Sequence, residues 1–275
     1  MKIKHPLVFI GLFITIFLSI LLNNPFVASS QANITDLSRI FGNTTGAFFL
    51  YNPQNNQYIY YNEERCEQEF PPMSTFKIPN SIISLETGAI ADETITVSYD
   101  PQKYPSEDWW FPEWKQENNL RSALKYSVVW FYRELALKVG AANMKKYLAH
   151  FQYGNQDISG GIDKFWLSSS LKISPKEQVE FLRKFYNNEL LVSKRTADIV
   201  KDILVLEETD TYKISAKTGT GFLEDDKILG WLVGYLEKSD DVYFFALNLE
   251  GKQDEASGKK RLEMTKQIFT QLGIL

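Results

Sequence analysis

Short apolar and aromatic runs lie along Gly46 to Tyr51 and again along Gln57 to Asn62, each bounded by polar residues. The run Asn52-Pro53-Gln54-Asn55-Asn56 lies between them, and this pattern predicts a hairpin. After Ser74 the spacing changes: Ile78, Ile82, Ile83 and Leu85 recur at near-helical intervals and Gly88 supplies a stop. Two prolines, Pro71 and Pro72, precede Ser74, which is read as the capping residue of that helix. Pro79 conflicts with a regular first turn. Residues 89–118 are rich in breakers at Asp100-Pro101, Tyr104-Pro105 and Phe111-Pro112.

Helical periodicity returns from Leu120 to Val139, is ended by Gly140, and resumes briefly from Ala141 to His150. Residues 153–173 are irregular. Ser174-Pro175-Lys176-Glu177 has the form of a helix start, with a helix running to about Asn187, and another is predicted over Thr196 to Leu204. Three apolar runs follow, at Tyr212–Lys217, Ile228–Leu236 and Val242–Leu249, with turns at Gly221 and at Lys238-Ser239-Asp240-Asp241. They read as an antiparallel meander, and Glu255 to Leu272 as a closing amphipathic helix. Strands at both ends must join in one sheet for either to bury a face. The expected fold class is therefore α+β: an antiparallel sheet flanked by helices, with the helical middle as a second lobe and a cleft between.

Composition changes this picture at three points. With 44% hydrophobic and 23% charged residues, the 275-residue chain has ample material for a large core, and its net charge of −4 gives no reason to expect a nucleic-acid partner. The N-terminus carries Lys2, Lys4 and His5, then a nearly apolar run from Leu7 to Leu22, then Ser30-Gln31-Ala32. Residues 1–32 are thus expected to be a cleaved signal peptide rather than a retained anchor, leaving 33–275 as one exported catalytic domain, periplasmic or secreted, with no stable membrane partner. Cys66 is the only cysteine and His150 the only histidine beyond that leader. A zinc site of the usual ligands cannot be assembled from them, so no metal is expected. A Ser-His-Asp triad would depend on His150, which reads better as a helix-end residue.

Lysine is then the natural base for a serine nucleophile. Four Ser-x-x-Lys pairs occur: Ser74/Lys77, Ser122/Lys125, Ser169/Lys172 and Ser257/Lys260. Ser74 stands out because a helix start at that point would turn backbone N–H groups toward an oxyanion, and Lys77 lies one turn on, on the same face. Further features sit where such a site would use them. Ser127, in Ser127-Val128-Val129, offers a hydroxyl that can relay a proton. Lys217-Thr218-Gly219 ends a predicted strand, with side chains 217 and 219 on one face, and the N–H of Thr220 is a second oxyanion donor. Arg261 on the last helix has the planar fork that binds carboxylates.

Ser74-Thr75-Phe76-Lys77, Ser127-Val128-Val129, Tyr153-Gly154-Asn155, Phe165-Trp166-Leu167, Lys217-Thr218-Gly219 and Arg261 occur in this order, and together the chain resembles the class D, oxacillinase-type serine β-lactamases over residues 33–275. Class A enzymes place Asn where Val129 stands here. The resemblance implies hydrolysis of the β-lactam ring of penicillin-type antibiotics through an acyl-enzyme on Ser74. It implies no bound cofactor, but a Lys77 that reacts with carbon dioxide or bicarbonate to become N-carboxylated. Val129 and Trp166 would wall that lysine, and the Trp166 indole would donate to the carbamate. Ser127 would shuttle a proton, and Lys217, Thr218, Gly219 and Arg261 would hold a β-lactam substrate and its carboxylate. A homodimer remains open, as do two related activities: a penicillin sensor that is acylated without turnover, and a D,D-peptidase. Trp109, Trp110 and Phe111 read equally as a rim over the substrate or as packing, and Trp114 as a residue packed between the lobes.

Overall fold

The computed structural model describes residues 36–275. The expected leader, residues 1–32, lies outside the described residues.

The chain begins with the short helix α1 (Ser38–Phe41) and the hairpin β1 (Thr45–Asn52) and β2 (Gln57–Tyr61). The helix α2 (Glu63–Glu67), a 3-10 turn (Met73–Phe76) and α3 (Lys77–Glu86) follow. After the loop-rich stretch come α4 (Leu120–Lys125), α5 (Val129–Phe151), α6 (Pro175–Tyr186) and α7 (Lys194–Ile203). The strands β3 (Val205–Glu208), β4 (Lys213–Phe222), β5 (Lys227–Lys238) and β6 (Asp241–Lys252), then α8 (Gly258–Gln271), complete the fold. The sheet is antiparallel in the order β2-β1-β6-β5-β4-β3. β1 pairs with β6, so the two ends of the chain do join in one sheet.

Two cores lie on opposite faces of this sheet. Phe48, Leu50, Leu232, Leu247, Ile268 and Phe269 form one, closed by α1 and α8. The other collects Phe76, Ile82, Phe131, Tyr132, Trp166, Leu182 and Trp231 under α3, α5 and α6. Helix starts follow local chemistry. Ser174 and Glu177 cap α6 reciprocally, with Pro175 at the first helical position. Asn119 and Ser122 do the same for α4.

Several expectations need correction. Ser74 does not cap a helix: it is the second residue of the 3-10 turn, which runs directly into α3 without a side-chain cap. Pro79 then falls at the third residue of α3, where its missing N–H is one of the four with no intrahelical acceptor. The Leu120–Val139 segment is two helices, broken at Tyr126-Ser127-Val128; Gly140 (φ 75°, ψ 158°) interrupts α5 where a stop was expected. The strand expected to end at Lys217-Thr218-Gly219 runs on to Phe222, because Gly221 lies flat against Met73: a Cβ there would meet the Met73 Cε at 2.9 Å. The meander has a further strand, β3, at its edge. The last helix starts at Gly258, capped by Ser257, since Glu255 folds back to accept from the Lys252 N–H.

Candidate active site

Ser74 is half-buried, and the turn that carries it is held from behind. Thr75 Oγ1 donates to the Pro72 carbonyl at 2.7 Å and accepts from Gln178 Nε2 at 2.8 Å, while Tyr153 donates to Gln178 Oε1 at 3.4 Å. Phe76, fully buried, packs edge-on against Tyr153 and Phe165 and stacks on Trp166 at 5.3 Å. Burial of a Phe side chain stabilises by about 1.5–3 kcal/mol, enough to fix the turn. The Met73 N–H donates to the Trp166 carbonyl at 3.1 Å, which ties the Trp166 loop to the residue before Ser74.

Lys77 has no exposed surface, and its Nζ donates to Ser74 Oγ at 2.7 Å. Burial, and then the like charge of Lys217, hold its pKa well below the usual lysine value. A neutral amine at hydrogen-bond distance from a hydroxyl can receive its proton. The Tyr132 ring lies 5.4 Å from Lys77 Nζ, and its hydroxyl meets Ser81 Oγ at 2.9 Å.

Ser127 occupies a backbone position that the sequence did not reveal. The Val128 N–H donates to the Ala123 carbonyl at 2.9 Å and the Ser127 N–H to Leu124 at 3.3 Å, which closes α4 in a Schellman motif with Ser127 left-handed at φ 58°. Glycine is the usual residue there. The Ser127 hydroxyl has no hydrogen-bond partner among the described residues. Trp114 Nε1 donates to the Tyr126 carbonyl at 2.8 Å and pins the turn from the other side.

On β4, the Ala216 N–H points to the Leu204 carbonyl, on the side of β3. Strand parity turns the N–H groups of Thr218 and Thr220 the same way, toward an edge that β3 no longer covers, since its pairing reaches only Ser215. Gly219 is where β4 meets Ser74: a Cβ there would lie 3.0 Å from the Pro72 carbonyl oxygen and 3.3 Å from the Ser74 nitrogen. Lys217 is 5% exposed, donates to the Thr218 carbonyl at 3.1 Å, and is lowered to a pKa of about 7 by burial and by Arg261. Thr220 is exposed and its Oγ1 accepts from Arg261 Nη2 at 2.8 Å.

Arg261 is buried, and most of its fork is already engaged. Nη1 donates to the carbonyls of Gly219 and Trp231, the latter at 2.7 Å, and Nε to Ser257 at 3.2 Å. It fixes the Gly219–Thr220 backbone and keeps one Nη2 hydrogen for a ligand. Burial lowers its pKa to about 10, so it stays cationic.

Trp166 is fully buried and its Nε1–H has no acceptor among the described residues. An orphaned buried donor is costly unless something is meant to accept from it. Val129, half-buried, opens α5, the helix whose Tyr132 lies beside Lys77. The aromatic segment is divided. Trp109 and Phe111 are 54% and 60% exposed, while Trp114 is buried beneath them. His150 sits in the last turn of α5, 2.9 Å from the Leu190 carbonyl, and Cys66 is buried. Reasoning from sequence missed Gln178 and Tyr132 and gave Thr75 no role of its own, although Thr75 and Tyr153 both lie in the motifs quoted above.

The profile of the penicillin binding protein transpeptidase domain matches residues 46–270. The chain is 42% identical over 230 residues to β-lactamase OXA-48 of Klebsiella pneumoniae, covering 84% of each. It superposes on the class D β-lactamase YbXI from Nostoc with a TM-score of 0.81 at 39% identity, over 87% of this chain and 99% of that one. It is also 34% identical to the regulatory protein BlaR1 of Bacillus licheniformis, but spans only 41% of that protein. A serine and a fully buried lysine in contact, set against a Lys-Thr-Gly strand, on a chain with these relatives over most of its length, mean that it belongs to the class D β-lactamases and is a β-lactam hydrolase.

Proposed function

We propose that this enzyme opens the ring of penicillin-type β-lactams through an ester on Ser74, with Lys77 carboxylated on Nζ. Two observations support this: Lys77 is wholly buried with its pKa held well below the usual lysine value, and the buried indole N–H of Trp166 finds no acceptor among the described residues. A neutral Nζ lone pair can bond the carbon of carbon dioxide and lose one amine proton, and the resulting anion needs a buried donor. Carboxylated, Lys77 would supply the general base both for acylation and for the water that clears the ester.

The chain's own residues do the rest. Ser74 Oγ adds to the lactam carbonyl. The backbone N–H groups of Ser74 and Thr220 receive the oxyanion. The unpartnered hydroxyl of Ser127 passes a proton to the leaving nitrogen. Lys217 and Thr218 receive the substrate carboxylate. Gly219 leaves room for the ligand backbone, and Arg261 acts mainly by holding the Gly219–Thr220 strand and adding positive charge. Val129 and Trp166 keep the Lys77 pocket dry. We assign residues 1–32 to an export leader, so that protein recovered outside the cytoplasm should begin near Asn33.

Carbon-13 NMR after loading with labelled bicarbonate tests the lysine directly. A carbamate signal should appear in the native protein and in Ser74→Ala, vanish in Lys77→Ala, and require more bicarbonate in Trp166→Phe. Steady hydrolysis of a chromogenic cephalosporin should fall when carbon dioxide is stripped. No carbamate signal, with turnover indifferent to bicarbonate, would make Lys77 a plain amine base.

A further inference from the structure

A groove of about 460 Å³ continues from Lys217 and Thr218, away from Ser74, along the open edge of β4. Its floor is apolar, made by Leu124, Leu204 and Ala216, and Leu206 forms a half-exposed lip. This volume lies within the range of small-molecule sites, about 300–1,000 Å³. Charge is distributed unevenly along it. At one place Arg121 is balanced by Asp202 at 2.6 Å and by Glu93 at 3.7 Å. Lys125, at the end of α4, has no carboxylate near it: its ammonium lies 5.3 Å from the Tyr126 ring and makes no ion pair among the described residues. Lys217 likewise faces no acid. The groove therefore presents two basic side chains without acidic partners, Lys125 and Lys217, joined by an apolar floor.

In bicyclic β-lactams with an unsaturated second ring, the carbon bearing the carboxylate is bonded directly to the carbon bearing the variable substituent. A carboxylate at Lys217 places the root of that substituent at the mouth of this groove. We propose that the groove is the subsite for this substituent and that Lys125 selects substituents ending in an anion. The assignment rests on Lys217 receiving the carboxylate, as argued above. The apolar floor removes the substituent's stem from water, and the half-solvated Lys125 meets its charged end.

The test uses two cephalosporins with the same acylamino side chain, one with a neutral substituent at the carbon next to the carboxylate-bearing carbon and one with a carboxylate-terminated thioether there. The quantity read is the ratio of kcat/KM, anionic over neutral. Lys125→Ala should lower it about threefold and Lys125→Glu about tenfold or more, and the difference should shrink in high salt. Leu206→Trp, on the exposed lip, should raise KM for the bulky thioether more than for a small neutral substituent. Lys217→Ala should weaken both substrates together. If the ratio stays constant in both Lys125 variants while Lys217→Ala weakens both substrates, the subsite is overturned and the carboxylate assignment stands. If Lys217→Ala changes neither KM, the carboxylate assignment fails and the subsite falls with it.

Discussion

The Val128 N–H closes onto the Ala123 carbonyl at 2.9 Å, and this one bond obliges Ser127, between them, to be left-handed. A serine at such a position costs about 1 kcal/mol relative to glycine. The fold would be satisfied by glycine; the proposed mechanism needs the hydroxyl. Ser127→Gly should therefore match or exceed the native melting temperature while acylation slows by about 10²–10⁴-fold. Ser127→Ala should lose the same activity without the gain in stability. Thermal melts beside pre-steady-state acylation measure both, and a Gly variant of native activity would remove Ser127 from the mechanism.

Gly219→Ala places a methyl group 3.0 Å from the Pro72 carbonyl oxygen, 3.2 Å from Thr75 Cγ2 and 3.3 Å from the Ser74 nitrogen. Two of these three neighbours are backbone atoms of a turn that Thr75, Gln178 and Phe76 hold rigid. The strand and the nucleophile must separate by a few tenths of an ångström. The expected result is a loss of about tenfold to a hundredfold in kcat/KM with the fold retained, checked by circular dichroism and steady-state kinetics.

Lys217 links stability to pH. Its folded pKa is lowered to about 7, whereas an unfolded lysine titrates near about 10.4. Between those values the unfolded chain holds a proton that the folded chain has released, so the contribution of this residue to stability rises with pH through that window. Below about pH 7 both forms are protonated and the cost of burying the charge is constant. Lys77, shifted in the same direction, acts in the same sense. Lys217→Met should be more stable than the native protein at neutral pH, with an advantage that narrows toward about pH 9.5. Urea titrations at the two pH values decide it; an advantage that does not change with pH would contradict the lowered pKa.

Cys66 is 1% exposed, its Sγ donates to the Phe48 carbonyl at 3.4 Å, and burial pushes its pKa to about 12. The thiolate fraction at pH 8 is then about 10⁻⁴, and reagent has no path to the sulfur. Thiol labelling should proceed only through unfolding, at a rate that becomes independent of reagent concentration once labelling of the open form outpaces its reclosing. Rapid stoichiometric labelling of the folded enzyme would show an opening absent from this structure.

Sequence carried the hairpin, the capped start of α6 and the Ser74/Lys77 pair because each rests on contacts within a few residues. What it hid depends on distant partners. β3, Val205–Glu208, is half-exposed, two of its four residues are acidic, and it exists because β4 offers an edge. The break at Ser127 carries no glycine or proline, so no local signal marks the left-handed turn there. Arg261 follows Lys259 and Lys260 and so looks solvated; strand carbonyls over forty residues or some thirty residues earlier in the chain draw it inside. Gln178 reaches Thr75 across 103 residues, a separation no local pattern records.

The short β3 has a consequence for how this protein fails. Beyond Ala216, whose N–H is taken by Leu204, β4 leaves the N–H groups of Thr218 and Thr220 uncovered by β3, and such an edge is a template for strand addition by a second chain. Most sheets cover or charge their edges; on the proposed reading of the groove, covering this one would close it to substrate. Aggregation and ligand recognition thus compete for the same few peptide groups. An inhibitor that stays esterified to Ser74 should act as a guard on that edge, delaying heat-induced aggregation beyond what its effect on melting temperature explains.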